Sequence, residues 1–339
     1  MNGDSERIAR LQRQVEAFGG VRSPLDQQID GHRIVVAGPK VFDVPSAWSF
    51  HEFLLFYGQS QLGDDWIASN AQSHPLVTHF FKGKAGIRPT GACDGRFVAA
   101  IMNGDMFAFL SFAYDLFTLA DNAEVQNSLF ERLRKPDQYQ GARYEMFVAA
   151  SLLRAGFRIA FEDESDSSTS HCEFTATSRL TNRPFSVEAK SRHRRPPNCD
   201  DQAAPKAEMY ILMQRALAKN ASHERIIFAD VNLPPDNQPV FQQTWHQEVA
   251  ATLNELEQRQ RATDPWPQAI VFFTNRKTSP WPGNVGRGGN TSVLLTAINH
   301  PLFRSEETRK EAEQKYPEIG RLFRAVNELG RPPGHFFAQ

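Results

Sequence analysis

The chain has 339 residues, enough to bury two cores, and carries 38 Lys and Arg against 39 Asp and Glu for a formal net charge of -1. That balance excludes a protein that coats nucleic acid through a global positive field, so any grip on a phosphate backbone has to come from a local patch. Its three cysteines, Cys93, Cys172 and Cys199, include no Cys-x-x-Cys pair, which argues against a disulfide framework and fits a reducing compartment.

Met1 to Arg7 is polar and acidic, which predicts no signal peptide and hence a cytoplasmic protein. Glu6 to Phe18 predicts a short amphipathic helix, with Ile8, Leu11, Val15 and Phe18 at alternating three- and four-residue spacing. Its apolar stripe is expected to seat on the chain's own core, although a second subunit, and so a homodimer, stays open. His32 to Ala37 reads as a strand and Ser46 to Tyr57 as a helix. Phe97 to Ala120 is the most apolar region, but Asn103, Asp105 and Asp115 interrupt it, which predicts buried helix and no membrane span. Residues 1–135 are therefore expected to form a mainly helical accessory domain, in which no motif names a function.

Pro136 to Gly156 predicts a helix with an acidic start and a glycine stop. Glu145 lies in a mostly apolar stretch of it, where a carboxylate needs a partner. Phe157 to Glu164 follows as a strand, and His171 to Thr177 as a second strand carrying Glu173. A third lies beyond Thr181-Asn182-Arg183. There Ser186-Val187-Glu188-Ala189-Lys190 puts a carboxylate and an ammonium on one face and Val187 and Ala189 on the other, because successive strand side chains alternate. A two-residue turn at Thr181-Asn182 pairs Leu180 with Arg183, which sets Glu173 opposite Lys190 and Glu188 opposite Thr175. All three charged groups then share a face. Cys172, Phe174 and Ala176 join Phe185, Val187 and Ala189 on the other, an apolar set suited to packing on a helix; an odd-length loop would slip the register and send Glu173 to the far side.

This order, a helix with a glutamate, a strand, a strand with an acid, a strand ending Glu-x-Lys and then a helix, resembles the PD-(D/E)xK, or restriction-endonuclease-like, nuclease superfamily over about residues 136–276. The resemblance implies an α/β fold with a mixed sheet flanked by helices. It also implies that Glu145, Glu173 and Glu188 hold a divalent metal, Mg2+ or Mn2+, while Lys190 assists the attacking water. The chain departs from the family at one position: the first-strand aspartate, often after proline, is here Glu173 after Cys172, and glutamate reaches further. Charge physics points the same way. Two carboxylates about 4 Å apart repel by roughly 4 kcal/mol at an effective dielectric near 20, so converging acids call for a cation or for protons. Magnesium, a hard ion that prefers oxygen ligands, suits them.

Directly after the Glu-x-Lys strand, Arg192, Arg194 and Arg195 form a basic run ending at Pro196-Pro197, the expected contact for a DNA backbone. His171, Cys172, His193 and Cys199 lack the spacing of a zinc site. Pro205 to Asn220 reads as a helix, and the resemblance places Lys206 or Gln214 on it near the active site. Arg225 to Asn232 and Gln268 to Asn275 are buried-strand patterns around a helix from Phe241 to Arg259, which extends a mixed α/β sheet. The nuclease-like domain is thus set at 136–300, followed at 301–339 by a charged helix, Ser305 to Leu329, interrupted near Pro317, and a tail. Gly283 to Asn290 is glycine-rich but lacks a Gly-Lys-Ser/Thr ending, so it reads as a flexible loop between strands.

The function expected is metal-dependent hydrolysis of phosphodiester bonds in nucleic acid, DNA ahead of RNA, of the restriction, repair or phage-defence kind. The alternative is a nuclease-fold module with weakened catalysis that binds nucleic acid or serves an assembly. A third reading makes the acids an ordinary polar face of an unrelated α/β protein.

Overall fold

Residues 25–45 form an antiparallel meander of β1 (Leu25–Ile29), β2 (His32–Ala37) and β3 (Lys40–Pro45). The first turn is Asp30-Gly31, with φ of 48° and 85°, a two-residue connection whose positive φ values match the twist of the flanking strands. Of these strands only β2 is expected from the sequence, because it alone alternates buried and less buried positions, whereas β1 and β3 are largely exposed. The structure, a computed structural model, describes residues 9, 12–86, 88–89, 100–123, 127–162, 172–192, 207–233, 238–261, 263–276, 292–303 and 305–336.

Helices follow: α1 (Phe50–Leu62), α2 (Asp64–Ser69) and α3 (Pro75–Ala85), then the two-residue pair β4 (Arg88–Pro89) and β5 (Ala100–Ile101), then α4 (Gly104–Asn122), α5 (Asn127–Leu133) and α6 (Tyr139–Arg154). The start of α1 is fixed locally. Ser49 accepts from the Glu52 amide at 3.2 Å and the Glu52 carboxylate accepts from the Ser49 amide at 2.7 Å, a reciprocal cap. In the apolar α4 region every interrupting polar residue is engaged. Asn103 caps the helix by accepting from Met106 N at 2.8 Å, Asp105 meets His79 at 2.8 Å, and Asp115 pairs with two arginines of α6. Among the described residues no helix is long and apolar enough to cross a membrane. At the C-terminal end of α6, Gly156 has φ of 90°, the left-handed position that stops a helix at little cost only with glycine.

The main sheet has six strands in the order β11-β10-β9-β8-β7-β6. Strands β6 (Phe157–Phe161), β7 (Phe174–Ser178) and β8 (Pro184–Ser191) form an antiparallel meander. Helix α7 (Ala207–Leu217) then leads to β9 (Glu224–Asp230), parallel to β8, and α8 (Thr244–Arg259) leads to β10 (Ala269–Asn275), parallel to β9. Strand β11 (Ser292–Ile298) closes the edge antiparallel, and α9 (Glu306–Lys315) and α10 (Pro317–Asn327) end the chain, split at Pro317 as the sequence predicts. Two apolar layers enclose this sheet. On one face Val187, Ala189, Ile226 and Phe228 pack with α4, α6 and α10; on the other Ile227, Ala229, Val271 and Phe273 pack with α7 and α8. The first of these clusters runs without a break from Phe18 through α4 and α6 into the sheet. Phe18, in the helical stretch 12–18, meets Phe50 and Tyr114 at ring distances of 6.0 and 6.4 Å and is buried in the chain's own core, whereas Val15 of the expected stripe is 61% exposed and Ile8 and Leu11 lie outside the described residues.

One buried charge group ties α4 to α6. Asp115 lies 2.7 Å from Arg154 Nη1 and 2.7 Å from Arg143 Nη1, and Arg154 also donates to Thr118 Oγ1 at 2.8 Å. Removing the only acid of such a group leaves buried cations uncompensated. Asp115→Asn is therefore expected to cost about 3–5 kcal/mol, read as a lower urea midpoint with an unchanged slope; a shift below about 1 kcal/mol would show that the arginines find water instead.

Candidate active site

The hairpin of β7 and β8 determines where the acids go. Ser178 and Arg183 close it through Ser178 N to Arg183 O at 2.9 Å, leaving Arg179 to Asn182 as the loop, with Asn182 at φ 57°. This loop has four residues where two were expected. Thr175 consequently pairs with Ser186 and not with Glu188, a shift of two residues along the strand. A shift by an even number keeps every side chain on its face. Phe174, Ala176, Phe185, Val187 and Ala189 do form the apolar set against α6, while Glu173, Glu188 and Lys190 share the other face. Cys172 departs from the expectation: it lies ahead of β7, and its Sγ donates to Asn220 O at 3.5 Å. Burial pushes its thiol up to about 12, helped by the charge of Glu188.

Lys190 bridges two acids. Its Nζ lies 3.2 Å from Glu173 Oε1 and pairs with Glu188 Oε1. Glu188 is 1% exposed, and its Oε2 has no hydrogen-bond partner among the described residues. Burial and the nearby charge of Glu173 push the Glu188 carboxyl up to about 7, against the opposing pull of Lys190. Burial disfavours the Lys190 ammonium too, but Glu188 and Glu173 outweigh it and hold its pKa above the ordinary lysine value. The lysine therefore remains a cation, and Glu188 is the group that changes charge near neutral pH.

Glu145 approaches from α6. Burial raises its pKa, and the charges of Glu173 and Lys190 both act on it. Both of its oxygens are engaged by one fork: Arg132 of α5 donates to Oε1 at 2.8 Å and Oε2 at 2.6 Å. The sequence showed that this acid needed a partner but not which one, since 13 residues and a helix break separate the two. Among the described residues no group of three or more His, Cys, Asp or Glu is placed to hold a metal ion.

The expected phosphate contacts fare differently. Arg192 is 1% exposed: Nη1 pairs with Glu248 at 3.1 Å and Nε donates to Val231 O at 3.0 Å. It bolts β8 to α8, so it is not free to meet a polyanion. Gln214 sits half-buried on α7 and donates to Tyr210 Oη at 2.7 Å. Arg194, Arg195, Lys206, His171, His193, Cys93, Cys199 and the glycine-rich stretch 283–290 lie outside the described residues. Lys219, just past α7, acts on Glu188 as a nearby positive charge.

Comparison with protein-family models, with curated proteins and with solved structures returns no match for this chain. The reading of the site rests on its own geometry.

A pH test follows from Glu188. Its folded-state pKa lies above that of an exposed glutamate, so the folded protein binds this proton more tightly than the unfolded chain does. Stability should fall as pH rises from about 4.5 through about 7. Glu188→Gln removes the titrating group, and the difference in melting temperature between pH 5 and pH 8 should shrink relative to wild type; an identical pH profile in the variant would assign the titration elsewhere.

Proposed function

We propose that the chain is a metal-dependent nuclease that hydrolyses phosphodiester bonds of nucleic acid, DNA ahead of RNA, on a restriction-endonuclease-like fold. The observation that carries this reading is the meeting of Glu173, Glu188 and Lys190 on one strand face, with Glu145 electrostatically linked to them from α6. The order of elements supports it as well: α6 with Glu145, then β6, β7 behind Glu173, β8 ending Glu188-Ala189-Lys190, and then α7 follow one another as the resemblance implies.

The donor set fits a hard divalent cation. Glu173 and Glu188 offer carboxylate oxygens, and the buried Oε2 of Glu188 lacks any other partner among the described residues. Glu145, whose two oxygens accept from Arg132, is linked to them by charge. When bound, magnesium or manganese would supply charge neutralisation at the scissile phosphate and a more acidic water. The chain's own residues supply the rest. Lys190, held protonated by its two acids, donates a hydrogen bond that orients the attacking water or stabilises phosphate charge.

A second reading has its own observation. Arg132 fills both oxygens of Glu145, and Lys190 lies between the other two acids, an arrangement that satisfies the charges without a metal. This describes a nuclease-fold module that binds nucleic acid without cutting it.

Two measurements separate them. Purified protein should cleave DNA only with Mg2+ or Mn2+, and Lys190→Ala should lower the rate by at least about a hundredfold, the lower range for a positioned acid–base group, with the fold retained. Binding without cleavage in either metal supports the second reading. Calorimetric Mn2+ binding should also weaken by up to about tenfold per pH unit below about 7, because protons compete at Glu188; affinity independent of pH would place the metal elsewhere.

A further inference from the structure

Beyond the acids of β8, the opposite face of the sheet holds a second polar centre. The parallel strands β8, β9 and β10 end together at Ser191, Asp230 and Thr274, which the ladder sets side by side. In an open α/β sheet the crevice outside the carboxyl ends of such strands is where ligands bind. Here it is a cleft of about 600 Å³, part of it open to solvent, walled by α3, α4 and α6 on one side and the strand ends on the other.

Two arginines line it from different elements, Arg143 of α6 and Arg276 just past β10, and each is 7% exposed. Each keeps an N–H donor without a hydrogen bond among the described residues. Arg143 Nη1 is near Asp115 by charge but lacks hydrogen-bond alignment, and Arg143 Nη2 and Arg276 Nε have no hydrogen-bond partner among the described residues. The Arg276 guanidinium lies over the Phe147 ring, 3.9 Å from its centre, a contact that holds it in place. Burial first, and then the like charge of Arg143, lower its pKa to about 10. The acid in the cleft does not cancel them by contact. Asp230 accepts from Thr274 Oγ1 at 2.9 Å, from Arg276 N at 3.2 Å and from Ser191 Oγ at 3.5 Å, so both its oxygens are spent on its surroundings. Among the described residues of this buried group, three arginines, Arg143, Arg154 and Arg276, stand against two acids, Asp115 and Asp230, an excess of one positive charge.

The geometry points to an oxyanion site in this cleft that takes a phosphoryl group, either inorganic phosphate or a phosphomonoester, between Arg143 and Arg276. Guanidinium forks from two directions with unused N–H donors match a tetrahedral group with several terminal oxygens better than a planar carboxylate, which one fork saturates. A bound dianion would satisfy the orphaned donors and relieve the repulsion between the two cations.

Titration calorimetry of the full chain in EDTA at fixed ionic strength, with inorganic phosphate, with a deoxynucleoside 5′-monophosphate and with acetate, tests this. Saturable one-to-one binding of phosphate or the monophosphate is expected, with acetate much weaker. Arg143→Gln and Arg276→Gln should each weaken binding at least tenfold. Tighter binding of the monophosphate identifies a phosphomonoester; equal affinity identifies free phosphate. If the glutamine variants fail to fold, Arg276→Lys, which keeps the charge but loses the fork, should still weaken binding at least threefold, and no loss there would overturn the site. Absence of saturable binding by wild type, acetate binding as tight as phosphate, or full binding by both glutamine variants would each overturn it. Arg324→Gln, at an exposed arginine of α10, should bind phosphate as wild type does; lost binding there would show that the anion is held by general surface charge and overturn the proposal.

Discussion

The parallel ladder β8-β9-β10, buried on both faces, is the constraint on which the rest of this structure depends. Its strands are joined by inter-strand hydrogen bonds, so the relative heights of Lys190, Ala229 and Phe273, and of Ser191, Asp230 and Thr274, are set by the register of the ladder. Because side chains alternate, one rigid edge presents two sets of polar groups back to back. Glu188 and Lys190 of β8 face α7 and α8; Asp230 and its partners face α6. Neither set can be moved without breaking the ladder.

Such polar groups are costly in this setting, and the chain handles them in two ways. Most buried charges are matched across distant elements: Asp115 with Arg154, Arg192 with Glu248, Arg183 with Glu318. The first fastens one helix to another and the others fasten helices to the strands and their loops, and each would be costly to break singly. The exposed i,i+4 pairs of α9 and α10, such as Arg309–Glu313, are of the kind worth only a few tenths of a kcal/mol. Glu188 belongs to neither group. It is almost wholly buried, it shares one lysine with a second acid, and it keeps an oxygen without a hydrogen bond among the described residues. An acid held at that disadvantage, with its titration moved toward neutrality, is the kind of group found where chemistry is done.

The N-terminal part of the chain has a structural role in both centres. Helix α5 supplies Arg132, which holds Glu145, and α3 and α4 form a wall of the cleft. The apolar cluster is continuous from Phe18 into the main sheet, so these helices are positioned by the same core that positions β8.

How much of this the sequence determined can be followed residue by residue. Periodicity settled α4, α6, α8 and the buried strands β8 to β10, because long runs of apolar side chains at fixed spacing leave one solution. Strand alternation placed Glu188 and Lys190 on one face, and parity placed Glu173 with them even though the turn proved two residues longer than expected. The loop length itself was not legible, since Ser178 to Arg183 closes a loop through a left-handed Asn182 that Thr181-Asn182 alone does not announce. Short exposed strands such as β1 and β3 carry too little pattern to see. What only the tertiary structure decided is which charges meet. The partners of Glu145, Arg192 and Asp230 come from 13, 56 and 44 residues away, and electrostatic pairing depends on distance in space, on which a one-dimensional spacing is silent.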